Sequence, residues 1–361
     1  MPPKRLVLVT LDYPPEVGGV ARYLSELVQE AASEMRVIVP EKHQADGPGQ
    51  VMALPMFRMQ KPVWWPLVRL FRTHIAADEQ VLISHVFPVG LAAWIARIAG
   101  GPEYSVLFHG LDLKLASSAW KRFWLRLICK QAHALFVNSQ ATARLLRERC
   151  ASEDIQPIVI TPGIRVREQM EQKQARKKLG LPEEIKIVLT VSRFVPRKGI
   201  DVTIQAMARI QAEQPIRYVV IGSGTDRGRL EDMAKKVGVD VLWVSADDEQ
   251  KWDWFFACDI FCMPSRETAD DIEGFGIVYL EAAMAGKPAI AGRAGGATEA
   301  IVDGQTGILV DPTNVSEVVQ AIRDLLTDSQ RAERIGKSAR ERVQSQFDWK
   351  HRWQIVKQTL I

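Results

Sequence analysis

The hydrophobic positions of the chain form short uninterrupted runs, and amphipathic stretches of helical period separate them. A first series of runs comprises Leu6–Thr10, Arg36–Val39, Val81–Ser84, Ser105–Phe108, Ala134–Val137 and Pro157–Ile160. A second series comprises Ile185–Val191, Tyr218–Ile221, Val241–Val244, Ile260–Met263, Pro288–Ala291 and Gly307–Val310. Short apolar runs that alternate with helices, such as Gly199–Gln211 and Ser316–Leu326, are typical of parallel sheets covered on both faces. The pattern therefore predicts an α/β chain with two doubly wound domains.

The boundary between the two series lies near Thr161–Ile164, before the charged and helix-prone run Arg165–Lys178. We therefore expect a first domain at 1–164 and a second at 165–346. The last stretch, 347–361, carries Trp349 and Trp353 at helical spacing. This stretch is predicted to form a helix that crosses back and packs on the first domain.

The composition indicates a globular protein and disfavours several other classes. The chain has 361 residues, of which 47% are hydrophobic and 25% charged, and its net charge is +4. This net charge is smaller than expected for a protein with a basic nucleic-acid-binding stripe. The sequence also has no run of about 18 uncharged apolar residues, the length that could span a membrane. The first apolar run stops at Asp12 and Pro14, so it is interpreted as a strand and not as a signal peptide. Four cysteines without paired spacing predict reduced thiols in a cytosolic protein.

Glu273 and Glu281 flank a turn that contains Gly274 and Gly276 and leads into an apolar helix. The first backbone N–H groups of a helix lack partners, and together with the positive end of the helix dipole they favour a phosphate. Carboxylates on both sides of a phosphate can accept hydrogen bonds from hydroxyl groups. The arrangement predicts a nucleotide-sugar site, with the ribose on one side and a hexose on the other. An ordinary helical glutamate is the alternative for Glu281 taken alone, and a loop without a ligand is the alternative for the glycines.

Two loops of the first domain also carry candidate chemistry. Gly18 and Gly19 follow the first strand and would let a ligand approach the backbone closely. His109 follows the strand that ends at Phe108, so its imidazole is expected at the carboxyl edge of the sheet, where such folds bind ligands. A plain strand-to-helix turn and a structural histidine are the alternatives.

Two loops of the second domain follow the same logic. Arg193 and Lys198 come after the strand that ends at Val191, and the two cations could clamp a diphosphate. Gly222 and Gly224 form another glycine-rich turn, near the expected position of a nucleobase or diphosphate. A basic loop that is only solvated is the alternative for the first of these motifs.

The sequence contains no Asp-x-Asp triplet and no His, Cys or carboxylate cluster with metal-ligand spacing. We therefore expect no metal and no other cofactor. The stretches Lys61–Ile75 and Trp120–Lys130 combine tryptophans with basic residues. Each could lie on an anionic bilayer as an interfacial helix, or pack its apolar face on its own sheet.

These motifs, in this order, resemble glycosyltransferase family 4, the retaining transferases of GT-B fold, over the whole chain. The resemblance includes Gly295–Ala297 with Glu299 and the segment Asp303–Pro312. At residues 271–282 and 194–199 the sequence most resembles bacterial phosphatidylinositol mannosyltransferases and related lipid-glycan mannosyltransferases. The resemblance implies two Rossmann-like domains that face each other across a cleft, with residues 1–164 on the acceptor side and 165–346 binding the nucleotide-sugar.

The resemblance also implies roles for individual positions. Glu281 would hold the ribose hydroxyls, and Glu273 and His109 would face the donor sugar. Arg193 and Lys198 would bind the diphosphate near Gly18, Gly19, Gly222 and Gly224, and backbone amides of Phe275, Gly276 and Ile277 would contact sugar or phosphate. His109, Glu273, Arg193 and Lys198 form the expected catalytic set. The chain departs from the family at Trp243–Ser245, near the nucleobase, and at Pro162–Ile164, where an asparagine between proline and glycine is missing.

The function expected from the resemblance is metal-independent, retaining transfer of a hexose, at the cytoplasmic face of a membrane. The preferred hypothesis is mannose transfer from GDP-mannose to a glycolipid or polysaccharide precursor. A transferase that uses UDP-glucose or UDP-GlcNAc is the enzymatic alternative. A degenerate sugar-nucleotide-binding scaffold is the alternative without catalysis.

Overall fold

The computed structural model describes residues 5–43, 47–59 and 63–361. The chain divides into two compact units. Unit 1 comprises Met1–Gly163 and Trp349–Ile361, and unit 2 comprises Ile164–Asp348.

The described part of unit 1 contains a parallel sheet of seven strands in the order β3-β2-β1-β4-β5-β6-β7. The strands are β1 Leu6–Val9, β2 Met35–Pro40, β3 Gln50–Leu54, β4 Gln80–Ile83, β5 Tyr104–Phe108, β6 Leu135–Val137 and β7 Ile158–Val159. The helices are α1 Gly19–Ala31, α2 Trp65–Thr73, α3 Leu91–Ile98, α4 Leu111–Leu115, α5 Ala119–Gln131 and α6 Gln140–Cys150. The central strand β1 is buried throughout, as expected for a strand covered on both faces.

Unit 2 contains a parallel sheet of six strands in the order β10-β9-β8-β11-β12-β13. The strands are β8 Lys186–Val191, β9 Ile216–Ile221, β10 Val241–Val244, β11 Ile260–Met263, β12 Ala289–Gly292 and β13 Ile308–Val310. The helices are α7 Gln172–Lys178, α8 Ile200–Gln211, α9 Arg227–Val237, α10 Asp248–Ala257, α11 Ile277–Met284, α12 Ala297–Ala300, α13 Val315–Thr327 and α14 Ser329–Gln346. Leu189 and Val219 point into one core, whereas Val188 and Val220 point into the other. Successive side chains of a strand alternate between faces, so this sheet is buried on both sides.

The predicted fold class is confirmed, since both sheets are parallel, doubly wound and covered by helices. Two details of the prediction were wrong. Gln50–Leu54 forms an edge strand that the sequence pattern did not reveal, because its side chains are only partly buried and their apolar signal is weak. Within the helix-prone run Arg165–Lys178, only Gln172–Lys178 is helical.

The final helix, α15 Trp349–Leu360, belongs to unit 1 and packs on α1. The Trp349 ring meets Tyr23 edge to face, with 5.1 Å between ring centroids, and its Nε1 donates a hydrogen bond to Glu26. Arg352 donates hydrogen bonds to the carbonyl and the hydroxyl of Thr161, at 3.3 and 3.0 Å. Gly163 packs against the Trp349 indole so closely that an added Cβ would lie 2.7 Å from it. Aromatic packing and partly buried hydrogen bonds therefore join the end of the chain to unit 1.

No helix within the three described ranges is both long and apolar enough to cross a membrane.

Candidate functional site

The polar loops of unit 2 gather at the carboxyl ends of its central strands. Residues 192–199 follow β8, 222–226 follow β9, 245–247 follow β10 and 264–276 follow β11. These four strands are neighbours in the order β10-β9-β8-β11. The carboxyl edge of such a sheet is where doubly wound folds bind ligands.

An ion cluster lies at the centre of this edge. Arg197 Nη1 and Lys198 Nζ each donate a hydrogen bond to Oε2 of Glu273, both at 2.6 Å. Arg197 Nε also donates to Oδ2 of Asp271 at 2.7 Å. Glu273, Arg197 and Lys198 are all buried, with 7%, 5% and 9% of their surfaces exposed. Buried charges at this spacing are held in place by one another, because leaving any of them alone would be strongly unfavourable.

The cluster keeps Glu273 ionised. Burial alone would raise the pKa of its carboxyl, but the charges of Lys198 and Arg197 outweigh burial and lower the pKa to about 2. Burial lowers the pKa of Lys198, and Glu273 offsets part of that effect. For Arg197, Glu273 and Asp271 overcome burial and raise the pKa.

Both cations bind the same oxygen of Glu273. Within the described part of the chain, Oε2 receives the hydrogen bonds from Arg197 and Lys198, and no contact is made to Oε1. An ionised carboxylate with one free oxygen can accept a hydrogen bond from a sugar hydroxyl.

Helix α11 begins directly after this cluster. Its N-cap is Gly276, with φ of 90°, a conformation that glycine adopts without strain. No described residue accepts a hydrogen bond from the backbone N–H of Phe275, Gly276 or Ile277. These amides are therefore available to an anion at the positive end of the helix.

Glu281 lies in α11 and is 3% exposed. Lys251, on α10, places Nζ 2.9 Å from Glu281 Oε1 and 2.8 Å from Asp248 Oδ1. Glu281 is thus a buried helical glutamate that is held by a cationic partner.

The remaining predicted residues of unit 2 lie in the same group of loops. Arg193 is exposed at the start of the loop after β8. Gly222 and Gly224 have φ of 134° and 156°, and an added Cβ would lie 2.0 Å from the Ser192 carbonyl oxygen and 2.4 Å from that of Phe194. These two glycines are therefore required by the packing of the protein itself. Trp243, one of the departures noted above, packs edge to face on Phe194.

In unit 1, His109 follows β5 and its ring meets Tyr23 edge to face, with 5.3 Å between centroids. Its Nε2 is shielded from solvent and has no hydrogen-bond partner among the described residues. Burial lowers the pKa of His109 to about 3, and the neighbouring His85 acts in the same direction. His109 is therefore a neutral imidazole at pH 7.

Gly18 and Gly19 differ from the glycines of unit 2. Gly18 is the N-cap of α1 and has an extended backbone, with φ of 175°. An added Cβ at either glycine would meet no described atom within 4 Å. Neither the backbone conformation nor the packing of the described residues explains these glycines, which is consistent with the predicted approach of a ligand.

The comparisons with known proteins decide the family. Residues 171–342 match the family described as glycosyl transferases group 1, and residues 18–163 match the glycosyl transferase 4-like domain. A GDP-mannose-dependent alpha-(1-6)-phosphatidylinositol monomannoside mannosyltransferase from Mycolicibacterium smegmatis is 31% identical to this chain, and the alignment covers 96% of each protein. The chain is a member of glycosyltransferase family 4.

Other similar proteins extend this picture of the glycosyltransferase. A GDP-mannose-dependent monoacylated alpha-(1-6)-phosphatidylinositol monomannoside mannosyltransferase from Corynebacterium glutamicum is 28% identical over 96% of this chain and 95% of its own. A D-inositol 3-phosphate glycosyltransferase from Stackebrandtia nassauensis is 30% identical over 75% of this chain and 65% of its own. A solved sucrose-phosphate synthase from Thermosynechococcus elongatus has the same GT-B fold, with a TM-score of 0.84 and 22% identity over 98% of both chains.

Three features of the glycosyltransferase site were missed by the sequence reasoning. Arg197, the residue before Lys198, received no role from the sequence, yet it contacts Glu273 directly. Lys251 lies 30 positions before its partner Glu281, and no local pattern joins them. In unit 1, His85 Nε2 lies 3.3 Å from Asp12 Oδ2, at the carboxyl ends of β4 and β1. Only the adjacency of Arg197 to Lys198 offered a signal in the sequence.

The described residues include no group of three or more His, Cys, Asp or Glu side chains arranged to hold a metal ion.

Proposed function

We propose that this glycosyltransferase transfers mannose from GDP-mannose, with retention of configuration, to an acceptor that contains inositol. The two mannosyltransferases named above align with nearly the whole chain and are described as GDP-mannose-dependent. The acceptor class is supported by the names of the relatives, which refer to phosphatidylinositol monomannoside or to D-inositol 3-phosphate.

The observation that carries the proposal is the state of Glu273. It is an ionised, buried carboxylate with one oxygen held by Arg197 and Lys198 and the other free. We assign the free oxygen to a hydroxyl of the donor sugar, since a charge-assisted hydrogen bond to a fixed acceptor orients a hexose.

The other donor contacts follow from the same edge of unit 2. Arg193 and Lys198 bind the diphosphate, and the free amides of Phe275, Gly276 and Ile277 complete the anion site. Glu281, held by Lys251, accepts hydrogen bonds from the ribose hydroxyls. Gly222 and Gly224 shape the neighbouring turn, and Gly18, Gly19 and His109 of unit 1 contact the donor.

Catalysis in this proposal consists mainly of positioning and of stabilising the leaving group. The bond between the anomeric carbon and the diphosphate oxygen breaks, and the cations and amides stabilise the charge that develops on the nucleoside diphosphate. In front-face attack, a phosphate oxygen takes the proton of the acceptor hydroxyl. A covalent intermediate on a group of the enzyme is the other retaining route. Neither route uses a metal, because cations of the protein supply the charge.

The exposed face of α5 supports binding to an anionic membrane surface. Leu125, Ile128 and Cys129 pack this helix into unit 1. Trp120 and Phe123 are 67% and 50% exposed, although both are large apolar residues. Their rings stack with centroids 6.3 Å apart, next to the exposed Lys121. An apolar surface bordered by lysine and arginine suits the headgroup region of an anionic bilayer.

The second predicted membrane stretch, Lys61–Ile75, is only partly covered, since Lys61 and Pro62 lie outside the described residues. Within it, Trp65 is 48% exposed at the start of α2, and Leu67, Val68, Leu70 and Phe71 are buried. We include Trp65 in the membrane-facing surface. We propose that this surface binds the cytoplasmic face of the membrane, because four free and buried cysteines support a reducing compartment.

A binding panel followed by a transfer assay tests the donor. GDP and GDP-mannose are expected to raise the melting temperature more than UDP, UDP-glucose and UDP-GlcNAc, by mass action. Radiolabelled mannose should then pass from GDP-mannose to phosphatidylinositol or a phosphatidylinositol mannoside, with and without a chelator. Stabilisation by UDP compounds alone would reject GDP-mannose as the donor, and no stabilisation by any of them would favour a scaffold.

Vesicle flotation tests the membrane surface. The protein should float with vesicles that contain phosphatidylinositol and not with neutral vesicles. The double variant Trp120→Ala, Phe123→Ala should remain at the bottom of the gradient. Val237→Ala is the matched control, because Val237 is an apolar residue of α9 in unit 2, 39% exposed, and belongs to neither α2 nor α5. Equal flotation of the double variant and the wild type would refute the assignment.

A further inference from the structure

Arg197 precedes the proposed diphosphate ligand Lys198, but its side chain contacts two carboxylates of the protein. Its guanidinium spans two carboxylates, with Nε on Asp271 at 2.7 Å and Nη1 on Glu273 at 2.6 Å. Its backbone carbonyl accepts a hydrogen bond from the Arg266 N–H at 2.8 Å. The Arg197 side chain thus holds two carboxylates, whereas the Lys198 ammonium group holds Glu273 alone, although the Lys198 backbone N–H also donates to the Val195 carbonyl at 3.0 Å.

Lys198 has two competing partners if the proposed function holds. Without donor, Nζ lies 2.6 Å from Glu273 Oε2. A donor diphosphate would draw the same ammonium group away, because a phosphate oxygen is a strong acceptor. Glu273 would then lose one of its two cations while it remained buried and close to a second anion. A buried carboxylate without a cation takes up a proton.

We propose that Arg197 is a positioning residue, anchored on Asp271, that keeps Glu273 ionised and oriented when Lys198 moves to the donor diphosphate. The inference rests on the roles proposed above for Glu273 and Lys198. The planar fork of arginine suits the task, because it binds two carboxylates at once and stays charged in the protein interior. A protonated Glu273 would instead present a neutral carboxyl to the sugar hydroxyl.

The charged surroundings of Glu273 support this assignment. The cations that act on Glu273 are Lys198 and Arg197. Burial raises the pKa of the neighbouring Tyr279 far above its ordinary value, so this phenol stays neutral and adds no second negative charge beside Glu273. Burial lowers the pKa of Lys198, and repulsion from Arg197 and Arg193 acts in the same direction, which favours movement of Lys198 toward an anion. Once Lys198 has left, Arg197 is the cation that remains in contact with Glu273.

Proton uptake on nucleotide binding measures this role directly. GDP is titrated calorimetrically into the wild type and into Arg197→Gln at about pH 7.5, in two buffers of different ionisation enthalpy. The variant is expected to take up as much as about one proton more per GDP than the wild type, because Glu273 becomes protonated. Its GDP affinity should also rise more steeply than that of the wild type as pH falls. The ionisation of GDP itself is common to both proteins and cancels in the difference.

Arg176→Gln is the matched control. Arg176 is 4% exposed and forms an ion pair with Asp259 at 2.7 Å in the same unit, away from the cluster. This variant should lose stability, as expected when one partner of a buried ion pair is removed. Its proton count on GDP binding should equal that of the wild type.

The outcomes separate the inference from the proposed function. Equal proton counts for wild type and a folded Arg197→Gln would overturn the inference and leave the donor site standing. A wild type that does not bind GDP would overturn both. If Arg197→Gln does not fold, Arg197→Lys provides the test, because it keeps a charge but not the fork. It should bind GDP with a wild-type proton count and transfer mannose more than about tenfold more slowly; an unchanged transfer rate would overturn the inference.

Discussion

Alanine substitutions at three glycines separate a role in ligand binding from a role in folding. Gly222 lies in the left-handed region, and an added Cβ would lie 2.0 Å from the Ser192 carbonyl oxygen, a backbone atom that cannot turn away. Gly18 and Gly19 have no described atom within 4 Å of such a Cβ. We predict that Gly222→Ala destabilises the protein, and that Gly18→Ala and Gly19→Ala fold normally but lose transferase activity.

The magnitudes follow from the contacts. At Gly222, overpacking contributes about 1–3 kcal/mol and the backbone strain of a non-glycine residue about 1–2 kcal/mol. A loss of about 3 kcal/mol corresponds to a fall of roughly 6–12 °C in the melting temperature of a domain of this size. At Gly18 and Gly19 the free energy of unfolding should change by less than about 1 kcal/mol, and alanine can even stabilise by limiting the unfolded chain.

The assay combines thermal unfolding, followed by circular dichroism, with transfer of labelled mannose. A methyl group between backbone and donor should reduce kcat/KM of Gly18→Ala and Gly19→Ala by at least about 100-fold, equivalent to 2.7 kcal/mol or more. Full activity in both variants would refute the reasoning, because these glycines would then have no ligand to admit. A wild-type melting temperature for Gly222→Ala would show that the loop after β9 can rearrange.

Three further predictions follow from the structure. The pKa of Glu273 falls from an ordinary value of 4.5 to about 2 in the folded state. The ionised carboxylate therefore contributes about 3 kcal/mol to the free energy of unfolding above pH 4.5, and this contribution is lost as pH falls toward 2. Urea denaturation between pH 5 and pH 3 should therefore show a smaller loss of stability for Glu273→Gln than for the wild type, and parallel curves would contradict the lowered pKa of Glu273. Gly163→Ala should lower the stability of unit 1 by about 1–3 kcal/mol, since its Cβ would lie 2.7 Å from Trp349. Adding Trp349→Ala should relieve that clash, and melting temperatures of the two single variants and the double variant form the double-mutant cycle that measures the relief. His109 is neutral at pH 7, with a pKa of about 3. The transfer rate should therefore show no inflection from this residue between about pH 5.5 and 7.5, whereas His109→Phe should reduce the rate. An inflection that disappears in His109→Phe would contradict the neutral state of the imidazole.

Much of the fold could be predicted because parallel strands buried on both faces have a continuous apolar pattern. Runs such as Leu6–Thr10 and Ile260–Met263 correspond to strands β1 and β11 almost residue for residue. The edge strand Gln50–Leu54 escaped prediction because an edge strand is only partly buried. Its selection as a strand depends on pairing with β2, a contact distant in sequence.

The candidate site was predictable as a set of loops but not as a set of contacts. Strand ends followed by glycines and charged residues indicated where Lys198, Glu273 and Glu281 would lie. The pairing of Glu273 with both Arg197 and Lys198 depends on two loops, more than 70 positions apart, that meet after β8 and β11.

The sequence by itself determined the α/β class, the two sheets, the family and the positions of the polar loops, because these follow from local periodicity and ordered motifs. Tertiary structure alone decided which charges meet. Ion pairs such as Lys251 with Glu281 depend on the order of strands in the sheet, which places loops side by side regardless of their distance along the chain. The same holds for protonation, since the neutral state of His109 and the charge of Glu273 arise from burial and from neighbours that only folding brings together.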